Sequence, residues 1–503
     1  MSNYLHTLTQ VGQERGKALA LTDELGEVSY QDLLEQIAIR AVALQRAGVS
    51  SGDRVAFVAE NSTHYVVNVL AVWQADGVPV TIYPSTTAAD LSSTLLDADP
   101  VLVLSDQYTN ELVCSAVREG LPTARIDEPF QLESVAEGAI STPQAVQGEL
   151  ALICYSSGTT ARPKAIMLSA QALLNSAQTF SETWRLTVAD VTLVCLPMAW
   201  LFGLTTASLS TLFVGGTVVS RRRSKPELLA TAIEQQGVTF LPAVTTVLTK
   251  FANYLDADAR VWDLSSLRFI ISGGEPRNEQ SFALLKRYTN ISVHDNYCAS
   301  EMQPLVTYDP LVDPEPREGS AGRLVPRSEL RLLDADGNDV QPGETGEAIS
   351  RGPGIMLGYW NDPELTAETL TPEGWYRTKD LLRVDSEGYI YVVGRTSDMI
   401  IRGGSNVSPG EIESELRQHA DVLDVAVVGL PDALYGEEVV AAVQFRDGAV
   451  VDADALREFA AARLSGFKVP TRFVQIDQLP HNSTTHKVNR KAVKAMLLEG
   501  APA

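Results

Sequence analysis

Positive charge is in short supply in this sequence: 40 lysines and arginines stand against 63 aspartates and glutamates, a formal net charge of −23. A chain this acidic offers no broad basic face. That excludes nucleic acid as its main partner but leaves room for a nucleotide held at one local positive site. Cysteine is equally sparse. Cys114, Cys154, Cys195 and Cys298 lie far apart, with neither metal-ligand spacing nor a disulfide framework, and buried reduced thiols are expected. No apolar run approaches the roughly eighteen residues of a membrane span. The N-terminal Met-Ser-Asn-Tyr-Leu-His lacks the basic-then-apolar order of a signal peptide, so the cytoplasm is the expected compartment.

What is present is a long, ordinary globular composition. At 503 residues the chain exceeds what one core usually supports, so two or more domains are expected. Helix-like and strand-like patterns alternate along the first ~390 residues, a rhythm that predicts α/β layers around largely parallel sheet. Residues 30–47 suit an amphipathic helix, 54–59 a strand, 64–75 a helix and 78–82 a strand. The same order recurs through 191–196, 207–219, 238–241 and 267–271. From Gly346 to Arg395 the texture shifts to short strands and turns. Beyond it lies a compact α/β unit of about a hundred residues, a normal domain size. The expected division is 1–394 and 395–503, with no internal repeat.

The apolar run Leu150–Cys154 ends in Tyr155-Ser156-Ser157-Gly158-Thr159-Thr160-Ala161-Arg162-Pro163-Lys164-Ala165. Hydroxyls and backbone N–H groups donate to phosphate oxygens, Gly158 admits a close backbone approach, and Lys164 adds a mobile charge. The spacing is not that of the P-loop. By itself the stretch reads equally as a phosphate grip or as a polar surface turn.

Its companions decide between the two. The stretch closely resembles the signature Tyr-Thr-Ser-Gly-Thr-Thr-Gly-x-Pro-Lys-Gly of adenylate-forming enzymes, the superfamily of acyl-CoA synthetases, adenylation domains and luciferases. Further elements follow in that family's order. Asn296-Tyr297-Cys298-Ala299-Ser300-Glu301 resembles Tyr-Gly-x-Thr-Glu. Trp375-Tyr376-Arg377-Thr378-Lys379-Asp380 resembles Gly-Trp-Tyr-x-Thr-Gly-Asp, and Gly394-Arg395-Thr396-Ser397-Asp398 resembles the inter-domain junction. Gly403-Gly404-Ser405-Asn406-Val407-Ser408-Pro409 resembles the loop after it, and His486-Lys487-Val488-Asn489-Arg490 stands where the family has Gly-Lys-x-x-Arg. The resemblance runs from about residue 25 to 492.

The resemblance implies a large N-terminal domain of layered sheets and helices and a small mobile C-terminal α/β lid. It implies that a carboxylate attacks the α-phosphate of ATP, giving acyl-AMP and pyrophosphate, and that a nucleophile then takes the acyl group. In that scheme Ser156, Ser157, Gly158, Thr159 and Thr160 wrap the outer phosphates beside Lys164. Glu301, helped by the Thr159 hydroxyl, holds Mg²⁺. Tyr297 packs on adenine, with Asn296 and Ser300 beside it and Gly273 and Gly274 against its other face. Asp380 accepts the ribose hydroxyls and Arg395 reaches ribose or phosphate. Lys487 offsets the charge that builds between carboxylate and α-phosphate, a contact whose loss typically costs ~10²–10³ in rate. The family's arrangement implies that Lys487 serves the first half-reaction only.

Departures from the pattern locate specificity. Ala161 and Ala165 replace glycines of the phosphate loop, which implies a backbone that avoids φ > 0 or a stiffer loop. Ser397 stands at the hinge, where Asp or Lys is usual, and His486 replaces the glycine before Lys487. Trp200 occupies a position usually held by His or another aromatic, and its neighbour is Leu201, where amino-acid-activating relatives place an Asp. An ammonium left unpaired in an apolar pocket is costly, which argues against an α-amino acid. Trp200, Leu201, Phe202, Cys298 and Ala299 suit a compact cyclic, aromatic or medium apolar acid. The Gly403-Gly404 loop resembles the CoA-ligase form, making CoA the first reading of the acceptor. A carrier-protein arm and a free amine (an amide ligase) are alternatives, and a catalytically silent nucleotide-binding protein is the minor one. A monomer or homodimer is expected.

Overall fold

The computed structural model describes residues 2–129, 149–156, 163–403, 405–446, 449, 453–481 and 488–499. The chain divides into two compact units. The larger comprises 1–277, 281–329 and 350–376; the smaller comprises 278–280, 330–349 and 377–503.

The larger unit is α/β, as the alternating pattern predicts. In one sheet the strands Val293–Ala299, Phe269–Gly273, Phe240–Ala243, Val191–Val194, Thr217–Ser220 and Leu19–Thr22 lie side by side and parallel. Glu27–Ser29 pairs antiparallel at one end, and Met302–Thr307 and then Gly322–Leu324 are added antiparallel at the other side. A second sheet has the parallel strands Leu150–Ser156, Val78–Thr81, Arg54–Val58, Leu102–Ser105 and Thr123–Arg125. Lys164–Ser169 and then Gly358–Tyr359 are added antiparallel to it. Parallel strands buried on both faces require continuous apolar runs, and Arg54–Val58, Val78–Thr81 and Leu102–Ser105 are buried at every position. The helix Tyr30–Arg46 starts at a capping box, in which Ser29 and Asp32 satisfy each other's backbone N–H. Helix Thr63–Gln74 starts one residue earlier than its pattern suggests, because the Ser62 hydroxyl caps Tyr65 N–H.

The smaller unit carries the hairpin strands Tyr376–Val384 and Tyr389–Arg395. It also holds a mixed sheet in the order Ser405–Val407, Ile400–Arg402, Gly436–Phe445 and Val422–Asp432, with Arg472–Gln475 parallel to Gly436–Phe445. Helices Pro409–Leu416 and Ala453–Ala461 bury Ile412, Leu416, Leu456 and Ala460 against Val425, Val427 and Val443 of the sheet. The Glu413 carboxylate lies in this core and is satisfied there: it accepts from Val427 N–H and pairs with Arg490, which also reaches Asp398 at 2.9 Å.

The cysteines depart from expectation. All four are free, but Cys114 is exposed and Cys298 half-exposed, leaving only Cys154 and Cys195 in the core. Cys114 sits on the short surface helix Asn110–Ala116, whose buried positions are Val113 and Ala116. Among the described residues no helix is long and apolar enough to cross a membrane.

Candidate active site

In open α/β sheets ligands gather beyond the carboxyl ends of parallel strands. Three stretches singled out in the sequence fall there. Gly273 ends Phe269–Gly273 and stands directly opposite Asn296 on the neighbouring strand. Trp200 follows the end of Val191–Val194. A Cβ at Gly273 would come within 3.1 Å of the Asn296 carbonyl and 3.2 Å of the Phe202 ring, so glycine is what lets strand, loop and ring meet. Gly274 follows with φ +78°.

Asn296 is buried and reaches the Cys298 sulfur through Nδ2 at 3.6 Å, while its Oδ1 is buried and accepts no hydrogen bond among the described residues. An acceptor in that state costs free energy unless a ligand supplies the donor. Tyr297, Cys298 and Ala299 complete the strand half-buried, with a register shift between Tyr297 and Ala299. Because Ala299 pairs with Met302, Ser300 and Glu301 form the two-residue turn of the hairpin. Met356 N–H donates to the Glu301 carbonyl and fixes the turn.

The phosphate segment spans the connection between two antiparallel strands whose last and first residues, Ser156 and Lys164, pair. Ser157, Gly158, Thr159, Thr160 and Ala161 lie outside the described residues, as does the Ser156 side chain. What is described is their footing. The Tyr155 hydroxyl donates to Asp97 at 2.6 Å, and Trp360 donates its indole N–H to the Asp97 carbonyl and its backbone N–H to the Ala165 carbonyl. Ala165 lies buried in extended strand opposite Tyr155, where a Cβ is at no disadvantage. At this position the lost glycine therefore reflects a backbone that never enters φ > 0.

Tyr359, which sequence reasoning did not single out, touches two of the chosen residues. Its hydroxyl donates to Glu301 Oε1 at 2.9 Å, and the Lys164 ammonium lies 5.3 Å from its ring centroid. Burial, and then the Glu301 carboxylate, push its ionisation well above the usual tyrosine range, so it remains a donor. The available signal was Gly358-Tyr359-Trp360, an aromatic pair after glycine in a stretch otherwise read as turns.

The candidate acid pocket has a different construction. Trp200 stacks on Tyr83 with centroids 5.4 Å apart and planes 11° from parallel. Leu201 is buried, and its carbonyl accepts from the Thr205 hydroxyl, which also meets Gln303 Oε1 at 2.9 Å. From Phe202 to Leu209 the chain winds as a π-helix, a rare form often found at functional sites. A Cβ at Gly203 would sit 2.6 Å from the Pro197 carbonyl and 2.7 Å from that of Leu196, so only glycine allows this helix to start against the loop. Asn61 ties the loop down from the other side, donating to the Leu196 carbonyl and accepting from Met198 N–H. Burial pushes the Cys195 thiol up to about 12 and the Cys154 thiol up to about 11, so both act as space-filling thiols.

The smaller unit brings together two more of the chosen residues. Asp380 and Arg395 pair across the hairpin, with Arg395 Nε 3.0 Å from Asp380 Oδ1. Lys379, just before Asp380, takes φ +59°, a left-handed conformation unusual for a residue with a Cβ. Gly403 has φ +57° and donates its N–H to the Tyr435 carbonyl. Gly404 and Lys487 lie outside the described residues. Ser397 caps its neighbour Asp398, the carboxylate that Arg490 holds.

The family model for AMP-binding enzymes matches residues 8–360, and that for the AMP-binding enzyme C-terminal domain matches 411–486. Indoleacetate–CoA ligase of Aromatoleum aromaticum is 32% identical over 501 residues, covering 97% of this chain and 96% of that protein. Feruloyl-CoA synthase of an Amycolatopsis species is 34% identical over 463 residues, covering 90% of this chain and 91% of that protein. Among solved structures, the amide bond synthetase McbA of Marinactinospora thermotolerans superposes with a TM-score of 0.87 at 26% identity, covering 98% of this chain and 99% of that one. The matches run through both units and in the order of the sequence motifs, and the chain belongs to the AMP-binding enzyme family, the adenylate-forming ligases.

Proposed function

We propose that this enzyme activates a compact aromatic or medium apolar carboxylic acid with ATP and passes the acyl group to the thiol of CoA. In the first step a carboxylate oxygen bonds to the α-phosphorus and the α–β phosphoanhydride bond breaks, releasing pyrophosphate. In the second the thiol sulfur bonds to the acyl carbon, the acyl–phosphate oxygen bond breaks, AMP leaves and the thiol proton passes to solvent.

The observation that carries the nucleotide half is the buried Oδ1 of Asn296 beside Gly273, unsatisfied among the described residues, to which an adenine amine would supply the missing donor. Tyr297 and Ser300 line the same strand end, and Asp380 with Arg395 is the natural ribose pair. Glu301 fits a Mg²⁺ carried in on phosphates. Among the described residues one of its oxygens is held by Tyr359 and the other accepts nothing, and no cluster of three acidic, His or Cys groups surrounds it. Mg²⁺ keeps several waters and commonly takes one or two carboxylates plus substrate phosphates. Such an ion would neutralise phosphate charge; Glu301, with Thr159, would hold it. Lys164 and Lys487 supply the positive charge. The working division is a nucleotide- and acid-binding domain over 1–394 and a lid over 395–503.

The parallel Tyr83–Trp200 pair supports a flat substrate, as do two relatives named for an arylacetic and a hydroxycinnamic acid. For the acceptor, the absent side chain of Gly403 leaves the Tyr435 ring uncovered, since a Cβ there would come within 3.3 Å of it. The neighbouring Arg402 reaches the Phe467 carbonyl, and both aromatic rings are exposed. That surface suits a pantetheine arm followed by a nucleotide. The likeness to an amide bond synthetase keeps a free amine as the second acceptor.

The test is pyrophosphate release over a panel of acids, with CoA, a carrier protein or amines added and the product identified by mass. Acid-dependent release and an acyl-CoA product are expected. Release that yields only amides moves the acceptor to an amine, and no release with any acid overturns the reading.

A further inference from the structure

Tyr359 meets both charged groups of the candidate phosphate site. Its hydroxyl donates to Glu301 Oε1 and its ring lies under the Lys164 ammonium. Among the described residues neither Glu301 nor Lys164 has an ion-pair partner. Two opposite charges thus rest on one side chain without pairing.

The backbone that carries it is held from three directions. Its strand, Gly358–Tyr359, is antiparallel to Lys164–Ser169, with Tyr359 opposite Ile166. Its backbone N–H donates to Thr366 Oγ1, on the helix Pro363–Thr369. The next residue, Trp360, is bonded to the Ala165 and Asp97 carbonyls. The ring is 4% exposed. A donor that cannot move, bonded to one oxygen of a carboxylate, fixes the plane of that carboxylate and leaves the second oxygen for a hard cation. A ring face that already satisfies the lysine removes the incentive for Lys164 to neutralise Glu301 directly.

We propose that Tyr359 is a positioning residue: it orients the Glu301 carboxylate toward the metal and keeps Lys164 from pairing with it before the triphosphate arrives. The proposal rests on the reading of Glu301 as metal-binding and Lys164 as phosphate-binding. Hydrogen-bond partners of metal ligands commonly matter ten- to a hundredfold for metal affinity.

The experiment measures Mn²⁺ binding by electron paramagnetic resonance to the full-length enzyme with α,β-methylene-ATP, where no turnover occurs. Tyr359→Phe keeps the ring and loses the donor; Mn²⁺ affinity should fall about tenfold, while the affinity for AMP without metal stays unchanged. Tyr359→Leu loses the ring as well and should in addition weaken binding of the analogue. In a Glu301→Gln background, Tyr359→Phe should have no further effect on Mn²⁺ affinity. Unchanged Mn²⁺ affinity in Tyr359→Phe, with Glu301→Gln weakened, overturns the proposal alone, as does an equal loss from Tyr359→Phe in both backgrounds. Unchanged Mn²⁺ affinity in Glu301→Gln overturns the metal reading beneath it. Should Tyr359→Phe fold poorly, Thr366→Val tests the same anchoring through the backbone, and it should weaken Mn²⁺ binding in the same direction.

Discussion

The hairpin Val293–Ala299/Met302–Thr307 and the stretch Trp200–Leu209 belong to the same unit, yet they are built by opposite rules. The hairpin is regular backbone carrying polar groups: Asn296 at a parallel strand end and Glu301 in a two-residue turn. The acid stretch is irregular backbone carrying apolar groups: a loop, a stacked Trp200 and then a π-helix. Adenine and the metal-bearing phosphates are the same for every adenylation, so Asn296 and Glu301, the residues proposed to meet them, can sit on a fixed hairpin. The acid differs between relatives, and a loop entering a helix can change its side chains without disturbing a sheet. On the proposed reading, chemistry is housed in one region and identity in the other.

Outside both regions, Lys487 sets the scale for the largest effect. Lys487→Ala should slow acid-dependent pyrophosphate release by ~10²–10³, while acyl transfer from supplied acyl-AMP persists. Equal loss of both steps would assign it to acyl transfer too. Gly203 tests whether the acid region depends on its unusual helix. Gly203→Ala places a Cβ against the Pro197 carbonyl, so a stability loss of about 1–3 kcal/mol is expected. Thermal melting reads the loss, and acid KM should rise more than ATP KM. A variant with unaltered stability and KM would show that the backbone there yields freely.

The thiols give the smallest effect. Cys154 contacts the Ala199 carbonyl at 3.6 Å and so joins the phosphate strand to the acid loop. With thiols pushed to about 11 and about 12 by burial, Cys154 and Cys195 stay protonated across the neutral range. An aromatic disulfide reagent at mildly alkaline pH should modify Cys114 first and Cys298 more slowly, with ATP slowing Cys298 further. Rapid modification of Cys154 would mean that the junction opens.

The hairpin was legible in the sequence and much of the acid region was not, for a physical reason. Asn296, Tyr297 and Glu301 stand at fixed spacing because strand and turn geometry fix them. The π-helix has no sequence period of its own, and the need for Gly203 at its start shows only once the backbone is in place. Tyr359 was missed because its meaning comes from a strand nearly two hundred residues earlier, against which it pairs. In the smaller unit the sequence pattern indicates a compact α/β unit, and the structure carries two long paired strands, Val422–Asp432 and Gly436–Phe445. Pro431 and Gly436 are residue types that ordinarily interrupt strands. Pairing carries the hairpin through both, and Asp432 closes its tip by accepting from Leu434 and Tyr435 N–H. Ala161, Gly404 and Lys487 fall outside the described residues, so their part of the pattern stands on resemblance.

The most direct measurement of the division between chemistry and identity is pyrophosphate release by Glu301→Gln and Trp200→Ala, each with an aromatic acid and with a small aliphatic acid. Glu301→Gln should lower the rate by the same factor, on the order of 10², for both acids. Trp200→Ala should cost the aromatic acid about tenfold in kcat/KM and the small acid little, changing their order of preference. An equal loss for both acids in Trp200→Ala, or an acid-dependent loss in Glu301→Gln, would contradict the account.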